Sequence, residues 1–271
     1  VSHNDPLPSF GAPPLNEVVV GVQFASLPNY DFRFVSEAYK AFRSDYPHAA
    51  EQPYLPPQYE VFGGGLPAMQ NRIEFGPAPV QNRTWFTSVD NDHLLQLQSD
   101  RFMLNWRAAG VGSSASYPRF EPILSRFLDG FKTIEEISSR TLGAHVELTQ
   151  AELAYINLIP LADFFDATNW IACLGDYPSD GLESISLATS KVLRDDNNRP
   201  VARLHTQLQT VYFGAHGDKK GLHLTLTVRG AISGVGSKLL EDFLKDARGI
   251  IVNEFALITS EMAHVVWKRS T

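Results

Sequence analysis

The 271-residue chain has a single cysteine, Cys173, which excludes an internal disulfide framework and any multi-thiolate zinc site. A reducing compartment, the cytoplasm, fits that usage. Basic charge is also scarce. With 23 Lys and Arg against 30 Asp and Glu, the formal net charge is −7, which opposes sequence-independent binding to nucleic acid or anionic lipid, because such binding depends on cations that release counterions. Long apolar runs are missing too. Ile250 to Ile258 is interrupted by Asn253 and Glu254, far short of the roughly 20 residues of a membrane span. Residues 1–14 hold no basic stretch followed by an apolar core, so they read as a leader that orders on contact or stays loose, and not as a signal peptide.

What is present is ample core material. Hydrophobic residues make up 44% and charged residues 20%, a globular balance. Leu15 to Ala25 is β-branched and apolar enough for a buried strand, broken by Leu27-Pro28-Asn29. Asp31 then caps a helix whose apolar face is Phe34, Val35, Ala38 and Phe42. From His48 to Pro67 the prolines, with Gly63-Gly64-Gly65 among them, predict a long surface loop. Four short strands follow at Arg72–Phe75, Thr84–Val89, Leu94–Gln98 and Arg101–Arg107, with Asp90-Asn91-Asp92 and Ser99-Asp100 as turns. Pro118 suits the start of a helix striped by Ile123, Phe127, Phe131, Ile134 and Ile137 and closed by Gly143.

The second half repeats much of this order: a strand at Leu153–Leu161, a short helical piece at Asp163–Cys173, and strands at Leu182–Leu193, Val201–Tyr212 and Leu222–Arg229. A long helix capped by Ser237 carries Leu240, Phe243, Ala247, Ile251 and Phe255, and a last helix opened by Ser260 includes Met262 to Trp267. The reading is an α+β fold: a leader at 1–14, a first half at 15–144 and a second half at 145–271. The halves form a pseudo-duplicated antiparallel sheet with two long helices on one face. That order resembles the saddle of the TATA-box-binding-protein superfamily, a likeness of architecture that carries no function. Two independent α+β domains are the alternative.

Several segments are familiar together: APPLNEVVVGVQF (Ala12 to Phe24), YPHAAEQP (Tyr46 to Pro53), LLQLQSDRFMLNWR (Leu94 to Arg107), YPRFEPIL (Tyr117 to Leu124), YINLIPL (Tyr155 to Leu161), RLHTQLQ (Arg203 to Gln209) and LTLTVRG (Leu224 to Gly230). The set resembles a sporadically distributed family of bacterial proteins with no assigned activity and no defined catalytic residues. The resemblance implies a prokaryotic source. Sporadic distribution implies gene transfer, and with it a defence or toxin–antitoxin neighbourhood.

Strand alternation supplies the candidate site, since residues two apart share a face. Leu222, Leu224, Leu226 and Val228 oppose His223, Thr225, Thr227 and Arg229. Leu204, Thr206 and Leu208 oppose Arg203, His205 and Gln207. In the first half Phe102, Leu104 and Trp106 oppose Asn105 and Arg107, Leu95 and Leu97 oppose Gln96 and Gln98, and Asn157 with Tyr155 opposes Ile156 and Leu158. A helix-free face would therefore present Gln96, Gln98, Asn105, Arg107, Asn157, Arg203, His205, Gln207, His223, Thr225, Thr227 and Arg229, with no acid among them. Such a surface suits an anionic or hydrogen-bonding partner. The plainer reading is the wet face of an antiparallel sheet.

Other chemistries find little support. His205 and His223 lack a third ligand for zinc, and Asp90-Asn91-Asp92-His93 has turn chemistry without calcium-loop spacing. Gly230 to Lys238 joins strand to helix but misses both phosphate-loop and dinucleotide spacings. Cys173 reads as a buried structural thiol, no serine lies in a nucleophile elbow, and Trp85, Trp106, Trp170 and Trp267 read as core. Neither cofactor nor metal is expected. The sequence points to a non-catalytic binding protein that meets a protein partner or an anionic ligand through the polar face and the Pro/Gly-rich loop from His48 to Gly65. The alternatives are an enzyme on a phosphate-bearing or nucleotide-like substrate, worked by His205, His223, Arg203 and Arg229, and a blocking partner of an effector.

Overall fold

The computed structural model describes residues 6–63, 82–108, 117–161, 167–175, 182–214, 216–234 and 236–270. Strand β1 (Leu15–Phe24) alternates Val18, Val20, Val22 and Phe24 into the core. Helix α1 (Phe32–Phe42) opens at Asp31, whose side chain accepts from the Arg33 N–H, and buries Phe34, Ala38 and Phe42 at four-residue spacing. Strands β2 (His48–Gln52), β3 (Arg83–Thr87), β4 (His93–Gln98) and β5 (Arg101–Arg107) follow. Helix α2 (Phe120–Leu142) buries the expected stripe and ends at Gly143, whose φ of 62° is the left-handed closure that glycine allows.

The second half runs through β6 (Leu148–Leu161), α3 (Ala167–Trp170), a 3-10 turn at Ala172–Leu174, β7 (Ser186–Arg194), β8 (Pro200–Phe213), β9 (Lys219–Gly234), α4 (Ser237–Ile258) and α5 (Glu261–Val266). Among the described residues nine strands form one antiparallel sheet in the order β2-β3-β4-β5-β1-β6-β9-β8-β7, so the pairing of β1 with β6 joins the halves.

Two local expectations change. His48–Gln52 is an edge strand on β3, although the whole stretch from His48 reads as loop. The α4 cap is Gly236, with Ser237 the first helical residue. The strand expected at Arg72–Phe75 lies outside the described residues.

Helices α2 and α4 pack on one face, α2 against β5 and α4 against β6 and β9. Phe102 of β5 lies with its ring centroid 5.7 Å from Phe127 and 6.3 Å from Phe131 and Phe42. Each such buried ring contributes about 1.5–3 kcal/mol. Close approach depends on glycine at Gly130 and Gly230, among other positions. A Cβ on Gly130 would stand 3.0 Å from Phe102 Cζ, and one on Gly230 would stand 2.7 Å from the Val201 carbonyl oxygen, where β9 meets β8 beneath Phe243. Residues 10–12 pack on the C-terminal segment: Phe10 is buried, and the N–H groups of Gly11 and Ala12 donate to Lys268 O and Trp267 O at 3.0 Å. Among the described residues no helix is long and apolar enough to cross a membrane.

Candidate functional site

Directly opposed residues in an antiparallel pair share a face. Arg203 faces Arg229, His205 faces Thr227 and Gln207 faces Thr225 between β8 and β9, while Gln98 faces Arg101 between β4 and β5. Glu17 lies opposite Arg107 on one side of β1, and Gln23 lies opposite Gln150 on the other. The helix-free face therefore collects every predicted site residue except Asn157. That residue pairs with Leu224 and sits on the helix side with Tyr155, its Nδ2 donating to Leu224 O at 3.2 Å. Strand β6 is central and largely apolar on both faces, so its parity is ambiguous from sequence.

The face is also not acid-free. Glu17 and Glu152 belong to it, and each is bound to residues of the predicted set. On the β3 side Gln96 Nε2 donates to Asn105 Oδ1 at 2.6 Å, and Asn105 Nδ2 donates to Glu17 Oε1 at 2.6 Å. Arg107 Nε reaches the same carboxylate at 3.2 Å. Arg83 and Trp85 both donate to Gln96 Oε1. Trp85 is thus not core: the guanidiniums of Arg83 and Arg107 lie 5.3 and 5.7 Å from its ring centroid. Nor is Cys173 buried; it is exposed.

The middle of the face is crossed by an extended strap, Tyr54 to Phe62, from the Pro-rich segment. Gln98 accepts from the Leu55 N–H at 3.2 Å and donates to the Leu55 carbonyl at 2.9 Å. Gln23 treats Gln58 the same way, at 2.9 and 2.8 Å. Arg101 Nη2 bridges Gln23 Oε1 and Pro56 O, and Gln150 Oε1 accepts from the Glu60 N–H at 3.4 Å. The N–H groups used are those of Leu55, Gln58 and Glu60, and Pro56 contributes only its carbonyl, so prolines, lacking an N–H, are tolerated at 56 and 57. Leu55 covers a small apolar island of Val19, Met103 and Ala154, and Tyr54 OH donates to Asp100 at 2.6 Å.

The far end of the strap brings Glu60 to β8. Its carboxylate lies 2.5 Å from Arg203 Nη1, 2.7 Å from His205 Nε2 and 3.6 Å from Arg229 Nη1. Arg229 Nε also pairs with Glu152 at 2.8 Å, while Arg203 donates to Val61 O and lies under the Phe62 ring. Burial alone would raise the Glu60 carboxyl. Hydrogen bonds from His205 and Arg203, with the charges of His205 and Arg229, more than offset it and hold the group below the usual carboxylate range.

Ser190 Oγ lies 2.9 Å from His205 Nδ1, completing a Ser190–His205–Glu60 chain. It has the member types of a nucleophile relay. Ser190 is, however, in the middle of β7 and not on the strand-to-helix turn that sets a serine nucleophile beside backbone donors. His205 and His223 share the face but stand four residues apart in register, His223 opposite Gln209 and His205 opposite Thr227, a separation of about 13 Å along the strand. Among the described residues no group of three or more potential ligands could hold a metal.

What stays open lies on β8 and β9. Among the described residues Gln207, His223, Thr225 and Thr227 have no side-chain hydrogen bond, and Gln207 is exposed. Burial lowers the His223 pKa against an opposing pull from Glu17, favouring the neutral ring.

Sequence reasoning missed Gln23, Arg101, Trp85 and Glu60. The first two were accessible from parity, since Gln23 opposes Val22 and Phe24, and Arg101 opposes Phe102. Glu60 gave no signal, because its partners lie more than 140 positions away.

No family model matches the chain, and no curated protein or solved structure matches it. The site must therefore be read from its own chemistry.

Proposed function

We propose that this is a non-catalytic binding protein that holds an extended segment of a protein partner against the helix-free face of its sheet. The observation that carries the reading is the paired grip of Gln23 and Gln98 on the main chain of the strap. Side-chain amides that offer one acceptor and one donor to a single residue act as a short β-bridge and tolerate any side chain. The open groups beside the strap, Gln207, Thr225, Thr227 and neutral His223, offer the same donor and acceptor chemistry to a second extended chain.

Electrostatics disfavour an anionic ligand at this place. Arg203 and Arg229 are matched by Glu60 and Glu152, so a phosphate arriving there would meet two carboxylates, and net charge adds a further penalty. That weighs against the enzyme reading on phosphate-bearing substrates. A partner segment of neutral or mixed charge meets no such barrier. In the bacterial defence or toxin–antitoxin setting that the family resemblance suggests, the partner would be a neighbouring gene's product.

The test is selection of a displayed peptide library on the intact protein. Enriched peptides should bind with Kd near about 1–100 μM, and both Gln207→Lys and Thr227→Lys should weaken them about tenfold or more. Peptides that bind these two surface variants as well as the parent, or the absence of any enriched peptide, would count against the reading.

A further inference from the structure

The acid-free, donor-bearing surface expected on the open face of the sheet exists on its other side. Asn157, turned toward the helices, lines a cleft between residues 8–15, the start of α2 and the middle of α4. Its polar lining is Tyr117, Arg119, Tyr155, Asn157 and Arg248, with Ser9 at the rim, and among the described residues no Asp or Glu contributes. For a chain of net charge −7, that is a local reversal of sign.

Each polar group retains unused capacity. Asn157 is 2% exposed and spends only Nδ2, on Leu224 O, so among the described residues its Oδ1 accepts nothing. The hydroxyls of Tyr117 and Tyr155 are 3.3 Å apart and among the described residues bond only each other, so one hydroxyl hydrogen stays free for a ligand. Burial raises the pKa of both, so both remain donors near neutral pH. Arg248 holds one exposed partner, Glu121, at 3.0 Å, and packs on the Phe120 ring; such an exposed pair is worth about 0–1 kcal/mol and is readily exchanged. Arg119 spends one N–H on Phe10 O and stands at φ 77°, ψ 169°. That region is almost confined to glycine, and strain of this kind persists where the surroundings force a side chain into place.

The remaining walls are apolar, with Phe10, Leu15 and Phe255 among them. The cavity measures about 70 Å³, room for roughly five waters or a ligand of similar size. Apolar walls around a cationic, hydroxyl-bearing rim select an amphiphile over a bare inorganic anion. We infer that this cleft binds a small monocarboxylic acid with a short apolar body. Arg248 and Arg119 would take the carboxylate, the Tyr117–Tyr155 pair would donate to it, and Phe10, Leu15 and Phe255 would enclose the chain. The site lies on the opposite face from the strap and does not depend on the peptide-binding reading.

The experiment is an NMR titration of the isotope-labelled protein with butyrate, with butyramide as the neutral isostere and inorganic phosphate as the bare anion. Butyrate should give saturable shifts at the Asn157 side-chain amide with a Kd of about 0.1–10 mM, while butyramide and phosphate bind about tenfold more weakly or worse. Arg248→Gln and Arg119→Gln, both at solvent-accessible positions, should each weaken butyrate about tenfold, the loss expected for one charge-assisted bond. Equal binding of butyrate and butyramide, undiminished binding in both variants, or no saturation by about 50 mM would overturn the assignment. A melting curve for each variant separates lost binding from lost fold.

Discussion

Glu60 Oε1 lies 2.7 Å from His205 Nε2, across 145 positions of sequence, and its second oxygen meets Arg203 at 2.5 Å. The Glu60 side chain is only 5% exposed, so this one carboxylate fastens an irregular segment to the sheet and neutralises the arginines beneath it.

Glu60→Gln should therefore loosen the strap and leave Arg203 and Arg229 short of a counter-charge. Removing one partner of a largely buried pair costs about 3–5 kcal/mol, less here because Arg203 keeps Val61 O and Arg229 keeps Glu152. A loss of about 2–3 kcal/mol in chemical denaturation is expected on that basis. Proteolysis between Tyr54 and Phe62 should speed up in parallel. A variant as stable and as resistant as the parent would show that the cluster does not hold the strap.

The same carboxyl sets a pH response. Its folded-state pKa is depressed, so its contribution is fully present above the unfolded value of about 4.3 and is lost as pH falls through the folded value. Hydrogen exchange of the strap amides should stay slow at neutral pH and accelerate below about pH 4. In Glu60→Gln that acid step should vanish. An acid step of equal size in the variant would assign it to another carboxylate.

Gln98→Ala and Gln23→Ala each strip the strap of one donor and one acceptor. Because Gln98 and Gln23 are 1% and 3% exposed, the orphaned main-chain groups cannot easily recruit water, and each change should cost about 1–3 kcal/mol. Exchange protection at Leu55 should fall in the first variant and at Gln58 in the second. Loss of protection at both sites in either variant would mean the strap detaches as a unit.

Gly230 tests how tightly β9, β8 and α4 are pressed together. An added methyl would lie 2.7 Å from Val201 O and 2.8 Å from Phe243. Neither backbone nor ring can yield cheaply, so Gly230→Ala should destabilise by about 1–3 kcal/mol. Phe243→Ala together with Gly230→Ala should not recover the loss, because the carbonyl clash remains; recovery would place the strain in the helix contact alone.

How legible the molecule was depended on how one-sided each segment is. In β8 and β9 large aliphatics alternate cleanly with polar residues, so Leu224 and Thr225 declare their faces. In β6 the run Ala154-Tyr155-Ile156-Asn157-Leu158 is apolar on both sides, and choosing a face by the one polar residue misplaced Asn157. On the helix side its amide nitrogen donates to Leu224 O. Strand β2, with the sequence His-Ala-Ala-Glu-Gln, is exposed at the sheet edge and needs no apolar pattern, so nothing distinguished it from loop. The strap escaped notice for a further reason: its bonds run through main chain, which carries no residue code.

The pairing of β1 with β6 also governs the order in which the protein can be made. Val20 lies opposite Leu153, so when β1 to α2 have left the ribosome one side of β1 is still a bare hydrogen-bonding edge bearing Val18-Val19-Val20-Gly21-Val22. Long-range closures of this kind are slow, and exposed apolar edges invite self-association. A fragment ending near residue 144 should accumulate as aggregate, and release of the nascent chain should be least hazardous once residue 161 has cleared the exit tunnel.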